Sequence, residues 1–145
     1  MRIHDVISAK QSAEVVTISP DATVRELVAL LAEHNVGALV VSNDGSAVDG
    51  IVSERDVVRR LYDDDQVLSA TVASIMTTEV RTAEPHELLN DLMQLMTDHR
   101  IRHVPVVTDG VLTGIISIGD VVKSRMSELE FERDQLDNFV HSQQT

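Results

Sequence analysis

At 145 residues and 43% hydrophobic content, the chain is long enough for one compact domain or two small ones and apolar enough to fill a core. Its net charge of -12 repels a phosphate backbone, and Tyr62, Phe131 and Phe139 are its only aromatic residues, which argues against a nucleic-acid partner. With no cysteine, no apolar run near the ~18 residues of a membrane span and no apolar signal stretch in "MRIHDVISAK", the expectation is a cytoplasmic protein that neither enters a membrane nor uses thiolate or disulfide chemistry.

In chain order, "EVVTIS" (14–19) reads as a short strand stopped by Pro20. Val24, Leu27, Val28 and Leu31 then recur at i, i+3, i+4 and i+7, which predicts a helix with one buried stripe. Thr23 and Glu26 have the form of a capping box at its start, and His34 falls near its end, where a cation favours the carbonyl dipole. "GALVVS" reads as a buried strand, "NDGSAVDG" as a hairpin turn, "GIVS" as the returning strand, and a second helix follows. The same order comes again downstream. "EVRTAE" is the strand candidate stopped by Pro85, Leu89, Leu92, Met93 and Met96 mark the helix, and His99 falls at its end. "HVPVVT", "DGVLTG" and "GIIS" then read as strand, turn and strand, ahead of a further helix. The second copy has no capping box at its first helix.

These are two tandem copies, a pattern best sought before any local assignment. "TISPDATVRELVALLAEHNVGALVV" (17–41) aligns without gaps on "TAEPHELLNDLMQLMTDHRIRHVPV" (82–106), bringing Pro20 onto Pro85 and His34 onto His99. Upstream, "IHDVIS" (3–8) resembles "VASIMT" (72–77), after which the first copy carries the extra residues "AKQSAE". Each copy is predicted as strand, helix, strand, strand, helix, an α+β unit with its small sheet covered on one face by two helices. A unit of ~60 residues is a marginal core, so the two are expected to pair. The expected division is 1–66 for the first repeat, 67–125 for the second and 126–145 for a C-terminal amphipathic helix and tail.

The phrase "GIVSERDVV" (50–58) returns as "GIISIGDVV" (114–122), with six of nine positions identical. Ser53 and Ser117 stand where a strand gives way to a helix, with Asp56 and Asp120 three residues on, so each pair fits an N-cap and its capping-box acid. A helix start also presents free N–H groups and a positive dipole end that suit phosphate, and a nearby carboxylate can accept two hydrogen bonds from a ribose diol. Duplication copies structural and ligand-holding residues alike, so the residues alone leave both readings open.

The two motifs, the "SPDATV" opening and the "RHVPVV" strand, in the same order over residues 1–125, resemble a tandem pair of cystathionine β-synthase (CBS) domains, the Bateman module, in a stand-alone protein of bacterial type. The resemblance implies two repeats packed sheet to sheet with pseudo-twofold symmetry, and two clefts for an adenosine-containing ligand such as AMP, ADP, ATP, NAD(H) or S-adenosylmethionine. It implies a regulatory sensor without catalytic residues, catalytic cofactor or metal, acting on a protein partner that the sequence does not name. By the same resemblance Asp56 and Asp120 hold the ribose hydroxyls, and Ser53 and Ser117 help hold ribose or phosphate. Thr17, Ile18, Thr82 and Ala83, with Val40, Val41, Pro105 and Val106, lie near the adenine, which backbone groups and apolar walls would recognise. Arg102 and His103 match positions where basic residues meet phosphate; the first copy has Gly37 and Ala38 there, so the two clefts are expected to be unequal.

Other residues carry two readings each. Arg55, Arg59 and Arg60 are either a local attractor for phosphate or a solvated helix face paired with the acids of "YDDDQ". His99 and His103 are separated by a helix end and a loop, a poor arrangement for a metal, and the run of Asp63, Asp64 and Asp65 lacks the further ordered oxygens that calcium needs. Met93 and Met96 lie on the buried stripe as core filling. Val122, Met126, Leu129, Leu136 and Val140 alternate three- and four-residue spacings, with Arg133 at the missing position, which predicts one long amphipathic helix suited to packing against a second copy as a homodimer. The last residues, "SQQT", are expected to be disordered. Three functional classes follow: a nucleotide sensor, a ligand-free dimerisation or docking adaptor with the same fold, and an enzyme, the last disfavoured because no Gly-x-Ser-x-Gly, His-Glu-x-x-His or P-loop is present.

Overall fold

The computed structural model describes residues 1–10 and 15–143, with the side chain of Gln143 also left out. Its elements run α1 (Ile3–Ala9), β1 (Thr17–Ile18), α2 (Val24–His34), β2 (Ala38–Val41), β3 (Gly50–Ser53), α3 (Glu54–Asp63), two short 3-10 turns (Val67–Ser69 and Val72–Ser74), α4 (Leu89–His99), β4 (His103–Thr108), β5 (Val111–Ser117) and α5 (Ile118–Gln143). The α+β class is the one read from the sequence, and the order strand, helix, strand, strand, helix holds in full in the first copy. Part of the expected tail is helix, since α5 continues to Gln143; residues 144 and 145 lie outside the described residues.

Both stripe helices form where the apolar spacing places them. Val24, Leu27 and Leu31 are buried on α2, and Leu89, Leu92 and Met96 on α4, while Val28 is left 40% exposed at the edge of its stripe. The Thr23–Glu26 capping box closes, with Glu26 N donating to Thr23 Oγ1 at 3.1 Å and Thr23 N to Glu26 Oε2 at 3.2 Å. Leu88, at the matching position of α4, makes no side-chain cap.

In the first copy β1 pairs in parallel with β2, and β2 antiparallel with β3. The second copy departs from the expected three strands: β4 and β5 pair, but "EVRTAE" shrinks to a single bridge between Ala83 and Val106. Pro105 supplies the reason. It stands where the first copy has Val40 and has no N–H to donate, so the ladder cannot extend past the bonds from Ala83 N to Pro105 O (3.0 Å) and from Val107 N to Ala83 O (2.9 Å). The second hairpin is also tighter than expected, because only Asp109 and Gly110 form its turn, both at positive φ, and Val111 already belongs to β5.

Packing crosses the linear division of the chain. Ile3 and Val6, from the leader of the first copy, join the core of the second with Leu89, Leu92, Met96, Val104, Ile116 and Val121. Val72, from the leader of the second copy, joins Leu27, Leu31, Leu39 and Val52 in the core of the first. Matching bonds dock the two leaders. Ile3 N donates to Glu87 O (3.0 Å) as Val72 N does to Ala22 O (2.8 Å), and His4 N to Pro85 O (2.9 Å) as Ala73 N does to Pro20 O (2.9 Å). Matching close approaches hold them down. A Cβ on Gly50 would stand 2.7 Å from Met76 Sδ, and one on Gly114 3.1 Å from Ile7 Cδ1. The exchange of leaders is therefore a pseudo-twofold relation, in which Ile3 corresponds to Val72 and Ile7 to Met76.

Candidate ligand site

Each repeated phrase ends a strand and opens a helix, and in both copies its serine and aspartate close a capping box. Ser53 N donates to Asp56 Oδ2 at 2.8 Å and Asp56 N to Ser53 Oγ at 3.4 Å; Ser117 N donates to Asp120 Oδ2 at 2.9 Å and Asp120 N to Ser117 Oγ at 3.1 Å. In the first copy the Ser53 hydroxyl also donates to Asp56 Oδ2 at 3.1 Å. The bonds that the two carboxylates accept all fall on Oδ2. Among the described residues neither Asp56 Oδ1 nor Asp120 Oδ1 accepts a hydrogen bond, and both side chains are half-buried. Cap and ligand site are thus compatible, because the cap uses one carboxylate oxygen and leaves the other open.

The helix starts offer less to an anion than their position suggests. The first N–H of α3, from Glu54, is taken by Gly37 O at 3.0 Å, and that of α5, from Ile118, by Arg102 O at 2.8 Å. The serines take the third N–H of each helix, which leaves the second, on Arg55 and Gly119. Phosphate held here would need side-chain cations besides the backbone.

The remaining site residues fall into two groups. Ile18, Val40, Val41, Ala83, Pro105 and Val106 have buried side chains, Val40 and Val41 at 0% exposure, so they are core and what they present to a ligand is backbone. Ala83 spends both its backbone groups on β4, and Ile18 O accepts from Ser42 N at 2.9 Å. Thr17 and Thr82 at the strand edges are half-buried and exposed respectively, and Arg102 is exposed. Apolar walls for an adenine therefore do not come from the buried valines.

His103 lies where the copies meet, since a Cβ built on Gly37 would be 3.5 Å from its Cε1 and equally close to Glu54 Oε1. Burial pushes the His103 pKa below its ordinary value; Asp120 and Glu54 oppose that shift, and Arg102 and Lys10 reinforce it. Asp120 is also displaced downward. Its burial alone would raise the pKa, but the Ser117 N–H and the Lys10 ammonium together outweigh it.

Lys10, at the end of α1, is the residue the sequence reading missed. Its Nζ is 3.0 Å from Asp120 Oδ2 and donates to Ile115 O at 2.9 Å. The sequence holds a signal for it only in hindsight: it lies in the extra segment where the repeat alignment breaks, and leader exchange brings it to the second copy. No cation is paired with Asp56 among the described residues. Arg60, in turn, donates to Ser74 O at 2.7 Å, so it ties α3 to the leader of the second copy. Lys10 and Asp120 also line a groove of about 610 Å³ between α1 and α5, with Met1, Lys123, Ser124 and Phe131 on its walls. Neither Ala83, Val106 nor His103 reaches that groove. No group of three or more His, Asp or Glu side chains suited to a metal occurs among the described residues, and no described helix is long and apolar enough to cross a membrane.

Comparison with known proteins matches the family described as "CBS domain" to residues 4–63 and 72–127. The "CBS domain-containing protein CBSX3, mitochondrial" of Arabidopsis thaliana is 39% identical over 146 residues, covering 95% of this chain and 71% of that protein. Among solved structures, the CBS-domain containing protein ATU1752 from Agrobacterium tumefaciens superposes with a TM-score of 0.81 at 39% identity, covering 86% of this chain and 99% of that one. The CBS domain pair of protein MJ0100, solved in complex with 5′-methylthioadenosine and S-adenosyl-L-methionine, superposes with a TM-score of 0.77 at 24% identity, covering 88% and 98%.

Proposed function

The chain belongs to the CBS domain family, and from that membership we propose that it is a regulatory module that binds an adenosine-containing nucleotide, AMP, ADP, ATP or NAD(H), and passes the change to a protein partner. The observation that carries this reading is the duplicated Ser-x-x-Asp helix start whose carboxylate keeps Oδ1 open after the cap is made. A ribose diol needs such an acceptor beside backbone groups, and both copies offer one. The fold neighbour that holds two adenosine derivatives supports adenosine as the shared half of the ligand. Ser53 and Ser117 help hold the ribose, Thr17, Ile18, Val40 and Val41 flank the base in the first site, and Thr82, Ala83, Pro105 and Val106 do so in the second. Arg102 and His103 meet phosphate. The ligand acts by binding one conformation of the module better than another, which is the only way a ligand shifts an equilibrium.

The protein works in the cytoplasm as a homodimer. Val58, Leu61 and Tyr62 on α3, and Val122 and Met126 on α5, are exposed apolar residues, and Val58 and Tyr62 correspond to Val122 and Met126 across the repeat. Two helices related by the pseudo-twofold thus each present apolar residues to a second copy, and Leu129, Leu136 and Val140 continue the row along α5. No reaction is assigned to it. The test is isothermal titration of protein stripped of carried-over ligand by denaturing and refolding, with AMP, ATP, NADH and S-adenosylmethionine in turn. Micromolar binding of at least one, at one or two per chain, is expected; no heat with any of them at two temperatures assigns the protein to the alternative, a dimerising or docking adaptor that has kept the fold without the ligand.

A further inference from the structure

Resting on that reading, we propose that Lys10 is a ligand-selecting residue of the second site, delivered to it by the leader of the first copy, and that it makes this site prefer an adenosine ligand bearing phosphate over the uncharged nucleoside. The ammonium is built into place. Nζ donates to Ile115 O at 2.9 Å and lies 3.0 Å from Asp120 Oδ2, and its side chain is 28% exposed. Two of its three N–H donors are used there, and among the described residues the third has no partner. Asp120 Oδ1 stays open to a diol with Lys10 in position. A 5′-phosphate lies one sugar away from that diol, inside the ~8 Å over which charges act with little screening at physiological salt. His103 lies close enough to Asp120 and to Arg102 to feel both charges, and Lys123 lines the groove beside Asp120.

Among the described residues the first site has no counterpart of this cation. The leaders correspond through Ile7 and Met76, each packed against the glycine that opens its partner phrase, but beyond them Thr77 pairs with Ile51 of β3 whereas α1 runs on as helix to Ala9, and no cation is paired with Asp56. Gly37 and Ala38 replace Arg102 and His103, and Glu54 stands beside Gly37. Arg55, which replaces Gly119, is the cation in the first turn of α3. The second site therefore has a cation paired with its diol-holding carboxylate, and among the described residues the first has none.

The experiment compares AMP with adenosine by isothermal titration of the full chain in wild type, Lys10→Met and Lys10→Arg, with a thermal melt of each. Lys10→Met is expected to weaken AMP at the tighter site by about tenfold, which is about 1.4 kcal/mol, to leave adenosine within about threefold, and Lys10→Arg to restore AMP. An unchanged ratio of AMP to adenosine affinity in a Lys10→Met protein that melts normally overturns the proposal. Tighter AMP binding in that variant also overturns it, because Lys10 then competes with the ribose for Asp120. Wild type that binds AMP and adenosine equally defeats the selectivity alone, whereas wild type that binds neither defeats the nucleotide reading and the proposal together.

Discussion

The two copies share a backbone plan and differ in charge. Both close a Ser–Asp capping box, give their first helix N–H to the carbonyl before the central strand and receive the leader of the other copy through the same hydrogen bonds. Yet Asp120 has Lys10 at 3.0 Å and His103 in its field, while Asp56 has no such partner among the described residues. Duplication thus preserved what the fold requires, the cap, the glycine under the leader and the buried stripe. It left the groups around the open carboxylate oxygen free to diverge, and that is where selectivity between ligands can arise.

Substitutions at matched positions of the two copies test this difference. The largest effect is expected at the leader contacts. Gly50→Ala forces a Cβ to within 3.0 Å of the Thr77 carbonyl as well as against Met76, and should cost about 1–3 kcal/mol in urea unfolding. Gly114→Ala meets only the end of the Ile7 side chain and should cost less; equal costs would show that the leaders are not held in the manner described. Next come the caps of the stripe helices. Thr23→Ala should lose about 1 kcal/mol, and Leu88→Thr, which supplies the missing cap three residues before Asp91, should gain about 0.5 kcal/mol in the same assay. Lys10→Met should cost less than about 1 kcal/mol because the pair is partly exposed, so its effect on AMP would not be a folding effect.

The smallest effect is a pH dependence. His103 has a depressed pKa, so the unfolded chain binds its proton more readily, and stability should fall as pH drops below about 6.5 towards the folded value. His103→Gln should remove that slope. Asp120, also depressed, contributes stability that is present above its ordinary value of 3.8 and lost as pH falls through its lower folded value. Melting curves between pH 7 and pH 3, for wild type and His103→Gln, separate the two.

Much of the fold was legible because it rests on periodicity and punctuation. The stripes of α2 and α4, the hairpin strands and the Ser-x-x-Asp helix starts need only local spacing to be recognised. The collapse of "EVRTAE" to a bridge was less visible, since it depends on which strand Pro105 faces. Exchange of the leaders was not visible at all, because nothing in "IHDVIS" says which copy will bury Ile3 and Val6. Lys10 was missed for the same reason, as its partner Asp120 lies 110 residues away. The site reading named residues by position along two strands, and burial then divided them into core that offers backbone and edge that offers side chains.

In the proposed site each aspartate does two things, capping its helix with one oxygen and holding a ribose with the other. Asparagine separates them, because its single oxygen can keep the cap while its amide cannot accept from a diol. AMP titration of the Asp56→Asn, Asp120→Asn double variant, beside its thermal melt, tests this most directly. A melting temperature close to wild type and a loss of AMP binding of at least about tenfold are expected. A variant that melts normally and binds AMP as wild type does would contradict this double role, and would leave both aspartates as helix caps.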